Sequence, residues 1–502
     1  MLPQSKPSRL GRFKLVFALL LTTTTIAIAS VARPVFHLGW TAWHDRQAQF
    51  PVTPGSVDDA SRLNQTRMQV VRVAGDLAIA QVQLRTALQD ATASGRQVTI
   101  AGSRHTMGGQ TLYPNGISLD LSQFKQMQLQ PKTGILTVYS GATWAQVIPY
   151  LDRQGYSVAV MQSNNDFSIG GTMSANAHGW QSDRPPFAST VESFRLMLAD
   201  GRVVRCSRQE NPQLFSLVLG GYGLFGIVLD VNLRVVPNEM YSARRVTIAS
   251  RDYVQTYRQQ VSADVGMAYG RLSVAPESFL QEAIVTTYHR VAAAPTALHA
   301  TPAPGLARLV MRGSVGSDYG KQLRWQLEKA SGGEAGTDVS RNQILNRPAT
   351  LFATHQQAQT DILHEYFIPP AALPLFLEKC RQIFPQHQVD LLNVTVRNVR
   401  PDRDAFLHYA DREMFGLVML FNQQRTPADE TQMQALTSDL IEAAISVGGT
   451  YYLPYRLHAT PAQFQRAYPQ ADRFFQLKRH YDPKEIFQNY FYLKYGKEEG
   501  GI

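Results

Sequence analysis

VTIAGSRHTMGGQT (98–111) is a run of β-branched and small residues that breaks at Gly102 into a glycine-bearing loop. The first half reads as a short strand, QVTIAG (97–102). Upstream, Asp76 to Ser94 reads as a helix with Leu77, Ile79, Val82, Leu84 and Leu88 as its apolar positions, stopped by Gly95. Downstream, GISLDLSQF and GILTVYSGA read as strands on either side of a Pro-Lys-Thr-Gly turn (131–134). A helix starting near Thr143 carries Trp144, Val147, Ile148 and Leu151, and the strand SVAVM (157–161) follows it. That strand leads into a second polar glycine loop, QSNNDFSIGGTMSANAHG (162–179). ESFRLMLADGRVVRCS (192–207) reads as a hairpin turning at Asp200-Gly201. The helix NPQLFSLVLG and the strand GIVLDVNLRVVP (226–237) complete an α+β region.

From about residue 240 the pattern changes. VAAAPTALHATPAPG (291–305) and SGGEAG (331–336) read as exposed loops. HEYFIPP, the helix LPLFLEKCRQIF, the strands LLNVTVRNV and FGLVMLF, and a helix from 427 to 447 predict a sheet backed by helices. That helix starts at Pro-Ala-Asp-Glu and stops at Gly448-Gly449.

The 502 residues exceed one ordinary core and predict two or three domains. Hydrophobic and charged fractions of 44% and 18% are those of a folded globular chain. Cys206 and Cys380 lie too far apart for a disulfide framework and outside any metal-like spacing, so both read as buried small residues and no metal site is expected. The formal charge of +10 falls to +6 without Lys6, Arg9, Arg12 and Lys14. No basic run is interleaved with aromatics, which argues against a nucleic-acid partner. Those four residues precede LVFALLLTTTTIAIASVA (15–32), a run about long enough to cross a bilayer. It reads as an N-terminal hydrophobic helix, either a retained membrane anchor or a cleaved export signal, with Ser30-Val31-Ala32 as a small-x-small site. The basic flank places the remainder outside the cytoplasm.

GYGLFG sets Gly221, Gly223 and Gly226 in the G-x-G-x-x-G spacing. A dinucleotide fingerprint needs those glycines after a strand and before a helix, and here the order is reversed. A nicotinamide site is therefore not expected. Taken together, the loops 102–111, 163–179 and 220–226 offer backbone N–H groups and hydroxyls to anionic oxygens, enough to cradle one long diphosphate cofactor.

VTIAGSRHTMGGQT (98–111), SIGGTMSANAHG (168–179), the hairpin with ADGR (199–202), LGGYGLFGIV (219–228) and YDPKEIFQN (481–489) occur in the order of the vanillyl-alcohol oxidase, or PCMH-type, FAD-binding family, which the chain resembles. Within that family GGTYYLPYRLHATPAQFQRAYP (448–469) is most similar to decaprenylphosphoryl-ribose oxidases and sugar or aldonolactone oxidases. The resemblance implies an α+β, two-subdomain FAD-binding fold plus an α/β cap with an antiparallel sheet. It divides the chain into a signal or anchor (1–34), a lead-in (35–69), an FAD-binding domain (70–240), a cap (241–450) and a segment returning to the FAD domain (451–502).

It further implies FAD contacts at Gly102, Ser103, Arg104, His105, Thr106, Ser168, Gly170, Gly171, Thr172, Ala175, Gly179, Gly221, Gly223, Gly226, Ile227 and Asn489. Gly-x-x-His-Thr at 102–106 fits the family position whose histidine bonds to the flavin 8α-methyl carbon, so His105 is expected to carry covalent FAD. No second-loop cysteine is present for a double tether. His178 is expected to assist deprotonation of substrate or to anchor its loop. Arg397, charged within an alternating strand, either binds substrate oxygens or lies on a solvated face. Tyr455 and Arg456 stand where decaprenylphosphoryl-ribose oxidases carry a lysine after Tyr-Leu-Thr, and Tyr455 is expected to replace it as a donor. Glu365, in HEYF, reads as a structural carboxylate or a polar contact. The implied reaction oxidises a CH–OH group of a small sugar, polyol or lactone-like alcohol, with oxygen or another compound as acceptor. The same fold also serves NADPH-dependent reductases and flavin-binding proteins without catalysis.

Overall fold

In the computed structural model, the described residues are 32–45, 53–300, 305–332, 336 and 338–497. The strand that leads into the first glycine loop spans Val98–Ala101 and lies parallel to Ile117–Asp120, which in turn pairs with Gln69–Arg72. The helix Leu77–Ser94 covers this small sheet. Asp76 caps it by accepting from the Ala78 and Ile79 amides, and Gly95 ends it at φ 67°, a left-handed turn that costs glycine little.

Its buried face differs from the expectation. Ala80, Leu84, Ala87, Leu88 and Ala91 pack inward, whereas Ile79 and Val82 are 55% and 61% exposed. The alanines allow the helix to approach the sheet closely, and 79 and 82 sit off that stripe. The chain end joins the same layer: Phe487 bridges Val98 in parallel, and the Val98 amide donates to the Ile486 carbonyl.

The next layer is antiparallel, in the order Val203–Ser207, Val191–Met197, Ile227–Pro237, Ile135–Tyr139, Met127–Gln130. The 192–207 hairpin forms as read, with Gly201 at φ 82°. The strand expected at 157–161 is confined to Tyr156–Val158, which pairs with the far end of Ile227–Pro237. Beyond it, the second glycine loop contains an unforeseen helix, Ile169–Ala175, capped by Ser168. Gly-Gly argues locally against a helix, but Ile169, Thr172 and Met173 are buried and tertiary packing decides.

Eight strands form the third layer, all in antiparallel pairs. They run Asp338–Ser340, Met240–Ala249, Glu282–Val291, Val265–Leu272, Asp390–Val399, Met414–Gln424, Gln359–Ile368, Thr450–Tyr451. The helices Leu373–Ile383 and Pro427–Ser446 accompany it. Thr426 caps the latter, with Asp429 and Glu430 in its first turn and Gly448 beyond its end at φ 74°. Cys206 and Cys380 are buried free thiols.

A helix over 32–44 precedes these layers. Among the described residues no helix is long and apolar enough to cross a membrane, and residues 15–31 of the apolar run lie outside the described residues.

Candidate active site

Three loops, three strands of the large sheet and the segment 452–455 line one cleft that opens to solvent. Loop one leaves the Val98–Ala101 strand at Gly102, where an added Cβ would collide with Ser168 Oγ of loop two. Arg104 takes φ 52°, uncommon for a residue with a Cβ, and its guanidinium donates to Ser118 Oγ at 3.1 Å. His105 stacks on Phe167 at 4.1 Å, and its Nε2 lies 3.0 Å from the Asp166 carbonyl. A carbonyl can only accept, so Nε2 carries the proton and Nδ1 keeps its lone pair. Burial pushes this imidazole below its ordinary value of 6.5, so the ring is neutral at pH 7.

Loop two is held from behind: Trp144 Nε1 donates to Thr172 Oγ1, which donates to Gln162 Oε1. Loop three turns at Gly220, Gly223 and Gly226, all at positive φ. A helix, Pro212–Val218, precedes it and a strand follows, the reverse of a dinucleotide fold. From the returning segment, buried Asn489 donates to the Gln110 and Tyr222 carbonyls, each at 2.9 Å, and so ties loop one to loop three.

The opposite wall is one face of the eight-stranded sheet. Arg397 pairs across to Gly416, Phe367 pairs to Gly416 from the other side, and Glu365 pairs to Val418, so all these residues share that face. Gly416 leaves the room Glu365 occupies, because a Cβ there would come within 2.9 Å of Oε1. Glu365 Oε1 is 2.7 Å from His178 Nε2, and both side chains are buried. Arg397 donates to the His178 carbonyl at 3.1 Å and to Ser163 Oγ at 3.0 Å, leaving its buried Nε without a protein partner. Phe367, Tyr409 and Tyr452 box in the His178 ring at centroid distances of 5.2, 5.6 and 5.7 Å. Burial, then the neighbouring Glu365 carboxylate, hold the Tyr455 phenol well above its ordinary range, so at neutral pH it donates.

Of the residues expected from sequence, Gly102, Ser103, Arg104, His105, Thr106, Ser168, Gly170, Gly171, Thr172, Ala175, Gly223 and Gly226 line the cleft, as do His178, Arg397 and Tyr455. Five do not. Gly179 and Gly221 are glycines for packing reasons, since a Cβ would collide with the Met161 and Leu217 carbonyls. Ile227 is fully buried in its strand, and Asn489 acts through the loops it ties. Arg456 faces away from the cleft: its guanidinium donates to Asn64 Oδ1, the Met107 carbonyl and Glu430. Glu365, read from sequence as a structural carboxylate or a polar contact, also lines the cleft. A carboxylate inside an apolar strand is the same signal that marked Arg397.

The Glu430 carboxyl illustrates what Arg456 does instead. Burial works to raise it, but contacts from His458 and Arg456 outweigh burial and hold it down at about 2, from 4.5. A depressed carboxyl stabilises the fold above its ordinary value, and that contribution is lost as pH falls from 4.5 toward about 2. Thermal midpoints of Glu430→Gln are expected to show a shallower acid decline over that window than those of the parent.

The cleft fits a long diphosphate cofactor on its own evidence. Thr106, Thr111 and Ser140 each present a buried hydroxyl with no protein partner, and all three line it. Such groups normally have partners in a folded protein, so a polar ligand along the loops is the simplest source. Among the described residues no group of three or more His, Cys, Asp or Glu could hold a metal ion.

Comparison with known proteins agrees with this geometry. A family model described as an FAD binding domain matches residues 80–207. Cytokinin dehydrogenase 2 of Arabidopsis thaliana is 26% identical over 197 residues, 38% of this chain and 38% of its own. D-arabinono-1,4-lactone oxidase of Yarrowia lipolytica is 29% identical over 168 residues, 32% of this chain and 30% of its own. L-gulonolactone oxidase of Mus musculus is 24% identical over 156 residues, 31% and 35% respectively. The chain thus spans less than two-fifths of the length of each of these relatives.

Proposed function

We propose, from the premise that the chain belongs to the PCMH-type FAD-binding oxidoreductases, that it oxidises a CH–OH group of a small polyhydroxylated alcohol: a sugar, polyol or lactone. FAD held along the three loops would supply the two-electron acceptor. The carrying observation is the buried contact between Glu365 and His178, beside Arg397, on the sheet face that closes the cleft.

Each side chain has a task that its surroundings favour. Arg397, its Nε free, orients the substrate hydroxyl oxygen and stabilises negative charge developing there. Glu365 accepts the hydroxyl proton, and the His178 ring packs beside the carboxylate with Nε2 2.7 Å from Oε1. Tyr455 donates a hydrogen bond at the same spot, and the rings of Tyr452, Tyr409 and Phe367 exclude water. Relatives whose names describe lactone oxidases support a sugar-like substrate. Anaerobic titration of the holoprotein with such alcohols is expected to bleach the yellow chromophore. Bleaching by NADPH with none by any alcohol would overturn the proposal.

His105 is the residue that would carry a covalent bond to the flavin 8α-methyl, through the Nδ1 that its hydrogen bond leaves free. Denaturing gels soaked in acid are expected to show a fluorescent protein band, lost in His105→Ala with the chromophore free in the supernatant. A dark parent band would rule out the bond. The run 15–32 behind four basic residues supports an exported body, and fractionation with N-terminal sequencing distinguishes an anchored from a cleaved form.

A further inference from the structure

The helix over 32–44 is fastened to the body by one side and bare on the other. Its inner side is specific. His37 Nε2 lies 2.8 Å from the Gly313 carbonyl and its ring meets Tyr319 edge-on, Arg33 lies over Tyr319 at 3.9 Å, and Thr41 is buried. Just past the helix, Asp45 receives two hydrogen bonds from Arg308, at 2.7 and 2.9 Å.

Outside the side of His37 and Thr41, at 100° per residue, Val35, Gly39, Trp43, Phe36 and Trp40 follow one another over a sector of about 140°. Val35, Phe36, Trp40 and Trp43 are 65%, 75%, 55% and 56% exposed. Water is a costly neighbour for four large apolar side chains in one row, and such a row marks a contact surface. The chain itself indicates with what. The apolar run 15–32, about the length of a bilayer crossing, leads in sequence directly into the helical residues 32–44. Anything emerging from a bilayer at residue 32 has its next helical turns at the headgroup–acyl boundary. Tryptophan suits that boundary, with an apolar ring and a polar N–H.

We infer that the helix over 32–44 lies in the membrane surface, with Phe36, Trp40 and Trp43 seated at the headgroup–acyl boundary and His37, Thr41 and Asp45 on the body. This rests on the anchored form of the export reading. The device is an interfacial helix and not a second span, because Arg33, His37, His44 and Asp45 within 32–45 are too polar for a bilayer core. Because the helix is bolted to the body, it sets one orientation of the cleft to the bilayer where a bare tether would allow many.

The test uses the full-length chain reconstituted into phosphatidylcholine/phosphatidylglycerol vesicles. Of the five tryptophans, Trp144 and Trp325 are buried and Trp180 stacks on Tyr269, so the difference between parent and Trp40→Phe/Trp43→Phe emission isolates the exposed pair. That difference emission is expected to be quenched by doxyl-labelled lipid and protected from iodide, while turnover is the same in both proteins. Vesicle-bound protein whose Trp40 and Trp43 are quenched by iodide and untouched by doxyl lipid would overturn the inference and leave the anchor standing. Protection from both quenchers with a doubled particle mass would assign the stripe to a second copy, also overturning it. Protein that never binds vesicles sinks the anchor and the inference together.

Discussion

Glu365→Gln is expected to lower kcat for alcohol oxidation by about 10²–10⁴-fold, the range for losing a positioned general base. The substitution keeps volume and hydrogen-bonding capacity, so the packing against Gly416 and the 2.7 Å approach to His178 are preserved. What disappears is the group that the proposed mechanism makes the acceptor for the hydroxyl proton. The visible spectrum of the bound cofactor should be unchanged, because Glu365 sits on the sheet and the cofactor loops are built from 102–111, 163–179 and 220–226. Rapid-mixing measurement of chromophore bleaching separates chemistry from binding: the loss should fall on the limiting bleaching rate and not on the alcohol's apparent affinity. A variant that bleaches at the parent rate would remove Glu365 from the chemistry and leave His178 as the remaining base.

Lys478→Met is expected to destabilise the fold by about 3–5 kcal/mol, the cost of breaking a buried ion pair from one side. Lys478 and Asp482 are 0% and 1% exposed, with Nζ 2.5 Å from Oδ2. Burial alone drives the lysine downward from 10.5, and its partner carboxylate opposes that. Asp482 also accepts from the Ile486 and Phe487 amides, at 3.0 and 2.8 Å, which fixes the segment that bridges to Val98. Asn489, two residues on from that bridge, ties loops one and three, so the damage should reach the cofactor. Urea unfolding followed by both tyrosine fluorescence and chromophore release reads both effects. An unchanged midpoint would show that the buried pair contributes nothing net.

Much of the flavin side was legible because its signals are local. A strand ending in Gly102, the ADGR turn and the helix–GYGLFG–strand order each depend on neighbours in sequence, and all formed as read. His105 was legible for the same reason, as part of a short spacing. Errors arose where tertiary packing overrode local preference. Ile79 and Val82 read as core, yet a face of alanines lies closer to the sheet. Gly170-Gly171 read as loop, yet the core makes it helix.

By itself, then, the sequence determined which loops could face a diphosphate cofactor, which histidine could be joined to it, and that the chain end comes back to the first sheet. Tertiary structure alone decided how the wall facing those loops is assembled. Glu365, Arg397 and His178 are separated by 32 to 219 positions: the register of two strands on Met414–Gln424 brings Glu365 and Arg397 to one face, and loop two lays His178 against them. Contacts with Glu430, Asn64 and the Met107 carbonyl likewise hold Arg456 away from the cleft. Short-range spacing encodes turns and caps, whereas contact across a sheet depends on pairing that no local pattern carries.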